Sequence, residues 1–420
     1  MEQTTTPNPF SASGRTALIA TGRITPLAAL ALALGLAGVT AAAAPTSLQR
    51  GEYLARAGDC VSCHTAKGGA PYAGGLRMDT PFGALLAPNI TPDVDTGIGA
   101  WSADDFYRAM HTGLNRRGQD MYPAMPYTFF TRVTRDDSDA IYAYLRTVPP
   151  VRNAVDVNHL RWPFDMRWTM SFWRDLFFRE TTFEPDPAHS EEWNRGAYLI
   201  EGLGHCGACH SPRNRLGAIE QSRQFAGATI DGWFALNLTE TLKTGLGDWT
   251  TAQIVAYLKT GAAKGKSTVL GPMAEVMHNS LAYLSDPDLT AMAEYLKSLP
   301  PESSLRKTPN EADPTRARGA SLYADYCVGC HQVRGTGLPG IFPPLVGNGA
   351  VVATEPNNIL KVVLQGIPAR NNYVPMPAFA TILNDQQIAD IANYVRTSWG
   401  NTAAPNATVA LAASLRAAPR

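Results

Sequence analysis

The chain has 420 residues, of which 45% are hydrophobic and 17% are charged. Its 36 basic and 36 acidic residues cancel to a formal net charge of zero, which argues against a nucleic-acid partner. A chain of this length has room for about three ordinary domains.

The N-terminus has the layout of an export signal. Arg15 and Arg23 precede an apolar run, and small residues follow it through Ala44. This order predicts a signal peptide over residues 1–43 that is removed after Ala43. An uncleaved membrane helix is the alternative, because residues 26–44 are mostly apolar and nearly long enough to cross a bilayer.

Three copies of Cys-x-x-Cys-His use every cysteine of the chain. The copies are Cys60, Cys63 and His64; Cys206, Cys209 and His210; and Cys327, Cys330 and His331. On one helical turn, residues i, i+3 and i+4 share a face. Two sulfurs can then bond to the edge of a porphyrin while the histidine ligates iron from the same side. The motifs therefore predict three covalently bound haem c groups.

Other uses of a Cys-x-x-Cys pair fit less well. A closed zinc site needs a second ligand pair nearby, but 142 residues lie between Cys63 and Cys206, and 117 between Cys209 and Cys327. A disulfide framework leaves each following histidine unexplained. A thioredoxin-like redox motif needs a βαβ pattern, which none of the pairs has around it.

Self-comparison shows that the first two motif regions are duplicates. The stretch from Ala87 to Ser102 recurs from Ala235 to Thr250 at a constant offset of 148 residues. Asn89 maps to Asn237 in this alignment. Each copy ends in a capping-box pair, Ser102 with Asp105 and Thr250 with Gln253, which predicts the start of an amphipathic helix.

Two further helices are predicted around each motif. A first helix is expected to begin at Arg50-Gly51, Arg195-Gly196 and Arg318-Gly319, shortly before each first cysteine. A closing helix is expected over Thr134–Arg146, Ser285–Lys297 and Asn384–Arg396. The sequence thus predicts an all-α fold in which a small haem-binding domain is built three times.

The linkers differ from these repeats in composition. Residues 151–190 cluster Trp162, Trp168 and Trp173 with other aromatic residues and methionines. Such a segment could pack between domains, dock a partner or contact a membrane interface. Residues 302–313 form a short polar linker, and residues 401–420 a short Ala-rich tail.

Methionine is the expected sixth ligand of each iron. Met376 is the only methionine after His331, and in the first unit the repeat offset selects Met125, which maps onto Met273. All three follow or nearly follow a proline, which stiffens the loop. The competing residues are Met110, Met121, Met277 and His278.

With these motifs, the YPAMPY segment and the HCGACHSPRN segment, the chain resembles the tri-haem cytochrome c subunit of bacterial membrane-bound dehydrogenases. That family serves quinoprotein alcohol dehydrogenase, flavin-dependent gluconate, sorbitol and fructose dehydrogenases, and certain molybdenum aldehyde dehydrogenases. The resemblance covers about residues 48–400. It implies three tandem cytochrome c domains, at residues 44–150, 191–301 and 314–400.

The resemblance also implies a function. Electrons would pass from a separate PQQ-, FAD- or molybdenum-dependent catalytic subunit, through the haems, to ubiquinone or a terminal oxidase. The chain would act at the periplasmic face of the cytoplasmic membrane, with peripheral membrane association. No pattern for a nucleophile or an acid–base pair stands out, so no catalytic residue is assigned. The alternatives are a multihaem peroxidase-like enzyme and a free-standing periplasmic shuttle.

Overall fold

The computed structural model describes residues 46–302, 314–369 and 373–418. The expected signal peptide and nearly all of the 302–313 linker lie outside these residues. Below, first, second and third repeat denote residues 46–150, 191–301 and 314–400, and strap denotes residues 151–190.

The first repeat is mainly helical. Its elements are α1 (Ser47–Ala57), α2 (Cys60–Cys63), β1 (Arg77–Thr80), β2 (Gly83–Leu86), α3 (Ala103–Thr112), α4 (Tyr127–Phe130) and α5 (Arg135–Leu145). The strap adds β3 (Asn158–Leu160) and α6 (Trp168–Phe177). The strand β3 pairs antiparallel with β2, so the strap completes a sheet of order β1-β2-β3.

The second repeat follows the same plan. Its elements are α7 (Glu191–Ala197), a π-helical turn (Tyr198–Leu203), α8 (Gly207–His210), a 3₁₀ turn (Gln221–Arg223), β4 (Ala228–Ile230), β5 (Trp233–Ala235), α9 (Thr251–Thr260), β6 (Ala262–Ala263), β7 (Ser267–Thr268), α10 (Met273–Asn279), a 3₁₀ turn (Leu281–Tyr283) and α11 (Asp286–Lys297). The strands form two small antiparallel hairpins, β4-β5 and β6-β7.

The third repeat and the tail are helical. Their elements are α12 (Pro314–Tyr326), α13 (Val328–His331), α14 (Gly349–Val352), α15 (Asn357–Gln365), α16 (Asp385–Thr397) and, in the tail, α17 (Val409–Ala417). The fold is therefore mainly helical, with short strands that the sequence analysis does not predict. Every helix in the part of the chain that the structure describes is too short or too polar to cross a membrane.

The predicted helix starts that rest on capping are confirmed. Ser102 and Thr250 form capping boxes with Asp105 and Gln253 at the starts of α3 and α9. The closing helices α5, α11 and α16 are capped by the side chains of Thr134, Ser285 and Asn384, as expected.

The predicted start of the first helix is wrong, because each Arg-Gly pair lies inside its helix. Helix α1 begins at Ser47 behind a capping box of Thr46 and Gln49, and α7 begins behind the cap Ser190. In the third repeat, α12 begins at Pro314.

The Arg-Gly pairs instead mark where the first helix crosses the closing helix. A Cβ on Gly51 would lie 1.9 Å from the carbonyl oxygen of Ala140, so only glycine permits this approach. The same contact recurs at Gly196 and Gly319. The preceding arginines pair with buried or half-buried aspartates of the closing helices, and these pairs are Arg50–Asp137, Arg195–Asp288 and Arg318–Asp390.

The first two repeats share one hydrophobic core. Its leucine and isoleucine side chains that are at most 1% exposed come from both repeats and are Leu54, Ile141, Leu145, Leu199, Ile200, Leu203 and Leu289. The third repeat forms a separate core around Leu360 and Ile388, which the tail helix α17 covers with Ala412 and Leu415.

The strap has a packed inner face and an exposed outer face. Met170 and Trp173 of α6 are buried with Tyr127 of the first repeat in a small separate cluster, the strap core. The Trp173 indole nitrogen also donates to the carbonyl oxygen of Leu216 in the second repeat, at 2.8 Å. The outer face exposes Trp162, Trp168, Phe172 and Leu176 by 77%, 65%, 64% and 50%. Packing therefore accounts for part of the aromatic enrichment, and Trp162, Trp168 and Phe172 remain outside it.

Candidate functional site

Each Cys-x-x-Cys-His motif forms one tight helical turn. The backbone N–H of His64 donates to the carbonyl oxygen of Cys60 at 3.0 Å, and the corresponding bonds measure 3.0 Å at His210 and 2.9 Å at His331. No two of the six cysteines, all of which lie in the described residues, form a disulfide. The turns therefore present two sulfurs and an imidazole from one short segment, as the motif spacing predicts.

A backbone carbonyl orients each of the three histidines. The Nδ1–carbonyl pairs are His64 with Pro88 at 2.7 Å, His210 with Leu236 at 2.6 Å, and His331 with Pro343 at 3.1 Å. A carbonyl oxygen can only accept, so Nδ1 must carry the proton and donate. The tautomer is thereby fixed with the lone pair on Nε2, which is the arrangement of a histidine that ligates a metal.

Burial keeps these histidines neutral and the Cys60 and Cys206 thiols protonated. Burial lowers the pKa of His64, His210 and His331. It raises the pKa of the Cys60 and Cys206 thiols to about 12. Neutral imidazole is the form that binds iron, whereas a zinc site would need thiolates. Within the described ranges, no three His, Cys, Asp or Glu side chains gather into a metal-binding group, so the zinc alternative has no ligand set there.

The second repeat contains an apolar cavity that brings its predicted site residues together. Cys206, Cys209, His210 and Met273 all line it. Met277, the competing sulfur, is buried in the shared core instead.

The third repeat closes one side of this cavity. Asn358 on α15 lines it and pairs with Phe234 of β5, accepting from the backbone N–H at 2.8 Å and donating to the carbonyl oxygen at 2.9 Å. Lys361 donates to the carbonyl oxygen of Asp231 at 2.9 Å and lies over the ring of Trp233, 5.0 Å from its centroid. The sequence does not predict this docking helix, because no local pattern reports a contact between segments so distant in the chain.

An unpaired amide in the cavity wall tests whether the residues fit a haem. Asn237 is 1% exposed, and its Oδ1 accepts from the N–H of Thr239 at 2.8 Å, which fixes Nδ2 as the other atom. That Nδ2 is buried without a partner. In the first repeat, the Nδ2 of Asn89 donates to the carbonyl oxygen of Val151 at 2.7 Å. A buried orphan donor costs free energy unless a ligand supplies an acceptor, as the propionates of haem do. The donor set and the cavity wall fit a haem c.

The other two predicted methionines pack against the same cores as the first cysteines of their motifs. Met125 packs against the shared core, as Cys60 does, and Met376 packs against the third core, as Cys327 does. The backbone of Met376 is fixed by two bonds to Ile367, of 2.8 and 3.0 Å.

The remaining candidates for the sixth ligand in the first two repeats lie elsewhere. Met110 is 4% exposed inside the shared core. Met121 packs against the core of the strap, and His278 is exposed on α10.

Known proteins resemble this chain over most of its length. The sequence model of the cytochrome c family matches residues 48–149 and 316–399. The gluconate 2-dehydrogenase cytochrome c subunit of Pantoea cypripedii is 39% identical over 92% of this chain and 94% of that protein. The cytochrome c subunit of the quinone alcohol dehydrogenase of Gluconobacter oxydans (strain 621H) is 40% identical over 89% of this chain and 84% of that protein.

A third relative is much longer. A nicotinate dehydrogenase polypeptide of Pseudomonas putida is 43% identical over 83% of this chain, which corresponds to 30% of that protein. The first two relatives match nearly end to end and carry the same kind of name. The chain belongs to the family of cytochrome c subunits of bacterial dehydrogenases.

Proposed function

We propose that the chain carries three covalent haem c groups in three tandem cytochrome c domains, at residues 44–150, 191–301 and 314–400. The cysteines that hold them are Cys60, Cys63, Cys206, Cys209, Cys327 and Cys330. The observation that carries the proposal is the fixed tautomer of His64, His210 and His331, each with Nδ1 on a carbonyl oxygen and Nε2 left for iron.

The proposed sixth ligands are Met125, Met273 and Met376. The cavity shared by His210 and Met273 supports this assignment in the second repeat, and the internal duplication extends it to Met125. When bound, a His/Met-ligated haem supplies one-electron transfer at a raised reduction potential. The protein's part is to hold each histidine in one tautomer, keep each thioether in place and exclude water.

The chain then serves as the electron-transfer subunit of a dehydrogenase complex. It takes electrons from a catalytic subunit that depends on PQQ, FAD or molybdenum, and passes them to ubiquinone or a terminal oxidase. The names of the relatives support the dehydrogenase partner. The outer face of the strap, with Trp168 and Phe172, is the surface that we assign to that partner, because aromatic residues are enriched at protein interfaces.

We place this subunit at the periplasmic face of the cytoplasmic membrane, attached peripherally and exported by a signal peptide over residues 1–43. N-terminal sequencing of the purified protein tests the cleavage, with Ala44 expected as the first residue. A chain that retains residues 1–43 after export would favour the membrane-helix alternative.

Haem counting tests the core of the proposal. Mass spectrometry of the exported protein should give the mass of the chain with three haems, and the oxidised protein should give only low-spin EPR signals. Fewer than three haems would refute the count. A high-spin signal would show an iron without its methionine and favour a peroxidase-like enzyme.

Substitution of the methionines tests the axial assignment. Met125→Leu should keep all three haems but lower one reduction potential, because the thioether stabilises the reduced iron. Met121→Leu is the matched control, since that side chain packs in the strap core. An unchanged redox titration of the Met125→Leu protein would rule out this ligand.

A further inference from the structure

Two tyrosine–aspartate hydrogen bonds cross between the first and second repeats. The hydroxyl of Tyr53 donates to Oδ2 of Asp288 at 2.5 Å, and the hydroxyl of Tyr198 donates to Oδ2 of Asp137 at 2.6 Å. Each tyrosine follows the arginine of its own repeat by three positions, as Arg50-Gly-x-Tyr53 and Arg195-Gly-x-Tyr198. The exchange is reciprocal, which is how a two-fold symmetric dimer interface is built.

The crossed bonds form one charged network. Each aspartate also accepts from the arginine of its own repeat, at 2.5 Å for Asp137 and 2.8 Å for Asp288. Burial acts to raise the pKa of Asp288, but the bonds from Arg195 and Tyr53 and the charge of Arg50 outweigh it and lower that pKa. Asp288 is therefore held as a carboxylate by groups from both repeats at once.

A second set of crossed contacts lies at the motif turns themselves. Helix α10, which begins at Met273, donates from Asn279 Nδ2 to Ser62 Oγ inside the first motif, at 2.9 Å. Helix α4, which follows Met125, packs its Phe129 ring against Gly207 inside the second motif, where a Cβ would come within 2.9 Å. The helix next to each candidate axial methionine thus touches the haem-attachment turn of the other repeat.

The two attachment turns are also close to each other. A Cβ on Gly58, just before the first motif, would lie 3.2 Å from the Leu203 side chain, just before the second. Any movement of one repeat relative to the other would therefore change the separation of the two attachment sites directly.

The third repeat has no tyrosine at the position that makes the crossed tyrosine–aspartate bonds in the first two repeats. Its sequence reads Arg318-Gly319-Ala320-Ser321, so an exposed serine stands where the others have tyrosine. Its aspartate, Asp390, accepts from Arg318 and Gln386 of the same repeat. The tyrosines are therefore not needed to build a repeat, since the third repeat forms its helix crossing without one.

We propose that Tyr53 and Tyr198 are positioning residues that lock the first two repeats into one two-fold electron-exchange unit with a single fixed separation between its haem sites. This inference rests on the proposed attachment of haem to both motifs. Two bonds at symmetry-related points of one helix interface restrain both sliding and rotation, which a single bond cannot do. Electron exchange depends steeply on the separation of two haems, so the lock sets its rate.

The test is the double variant Tyr53→Phe, Tyr198→Phe in the complete haem-loaded protein. It keeps both rings and removes only the crossed hydroxyls. Pulsed dipolar EPR between the oxidised haems should show one narrow distance between the first and second haems in the wild type. In the double variant, that narrow distance should be lost to a broad distribution, and the rate of exchange between these haems should fall.

The matched control is Tyr323→Phe. Its hydroxyl is also a buried donor, to the carbonyl oxygen of Gln332 at 2.7 Å, but this bond lies within the third repeat. It should leave the distance between the first and second haems unchanged. Each single variant keeps one of the two crossed tyrosine–aspartate bonds and should give a distance distribution of intermediate width. This result decides the question if the double variant does not fold.

The result that would contradict the lock differs from the result that would contradict the proposed function. An unchanged narrow distance in a double variant that carries three haems would overturn the lock while leaving the proposed function intact. Fewer than three haems in the wild-type protein would overturn the proposed function itself.

Discussion

The first two repeats and the third repeat use the same parts but complete their cores differently. The first two share one core and exchange tyrosine–aspartate bonds, so the core of each is completed by side chains of the other. The third keeps its aspartate bonds internal and covers its core with the tail helix α17. A duplicated unit can therefore be stabilised either by its copy or by a short added helix.

Removal of α17 should have the largest effect on stability, and this effect should be confined to the third repeat. A chain ending at Thr408 loses the buried Ala412 and Leu415 and the pair between Arg416 and Asp385, at 2.8 Å. The third repeat should lose about 5 kcal/mol of stability from the lost apolar burial and the broken ion pair. Calorimetry should show its transition at a lower temperature, with the transition of the first two repeats unchanged.

A substitution on the exposed side of the same helix is the control. Val409 is 42% exposed, so Val409→Ala should leave the third repeat's transition in place. If the truncated chain melted like the full-length protein, α17 would not be a part of the third core.

A pair of leucine substitutions should show that the shared core and the core of the third repeat are destabilised independently. Leu203 and Leu360 are both 0% exposed, in the shared core and the third core respectively. Each change to alanine should cost about 2–5 kcal/mol through lost burial and the cavity left behind. Hydrogen exchange in the Leu203→Ala protein should accelerate in both of the first two repeats, and in the Leu360→Ala protein only in the third. Acceleration confined to the second repeat of the Leu203→Ala protein would contradict a shared core.

Loss of an arginine should cost less stability in the first two repeats than in the third repeat. In the Arg50→Met protein, Asp137 keeps the Tyr198 hydroxyl and has Arg195 nearby, so we expect a loss of about 1 kcal/mol. In the Arg318→Met protein, Asp390 loses the cation that neutralises it, and we expect about 2–3 kcal/mol. Denaturant unfolding of the two variants gives the comparison directly. Equal losses would mean that the crossed tyrosine adds nothing to the pair.

How far the sequence predicts this fold depends on the range of each interaction. The caps at Ser102, Thr250 and Asn384 are predicted correctly, because a capping box involves residues only three positions apart. The motif turns are predicted for the same reason. The starts of the first helices are wrong because the Arg-Gly signal reports a contact with another helix, which lies 87 residues away for Arg50 and Asp137.

The crossed bonds leave a trace in the sequence. Tyrosine follows Arg-Gly in the first two repeats, and Ser321 replaces it in the third. Within one repeat this tyrosine has no local partner, since Tyr53 reaches Asp288 across 235 residues of chain. A repeat position that differs between copies is therefore a signal of contacts between repeats, and it can be read only once the pairing of helices is known.

The outer face of the strap should contribute least to stability, because the strap contacts the first two repeats only with its inner face. Trp168→Ser together with Phe172→Ser should leave the unfolding free energy and the haem content unchanged, since both side chains are mostly exposed. The same change should weaken co-purification of the catalytic subunit when the complex is expressed together, because aromatic side chains dominate interface energies. Val94→Ser, at another exposed apolar position of the first repeat, is the control and should retain the partner. A double variant that unfolds more easily would show that this face packs within the chain, and one that binds the partner normally would remove the strap from the interface.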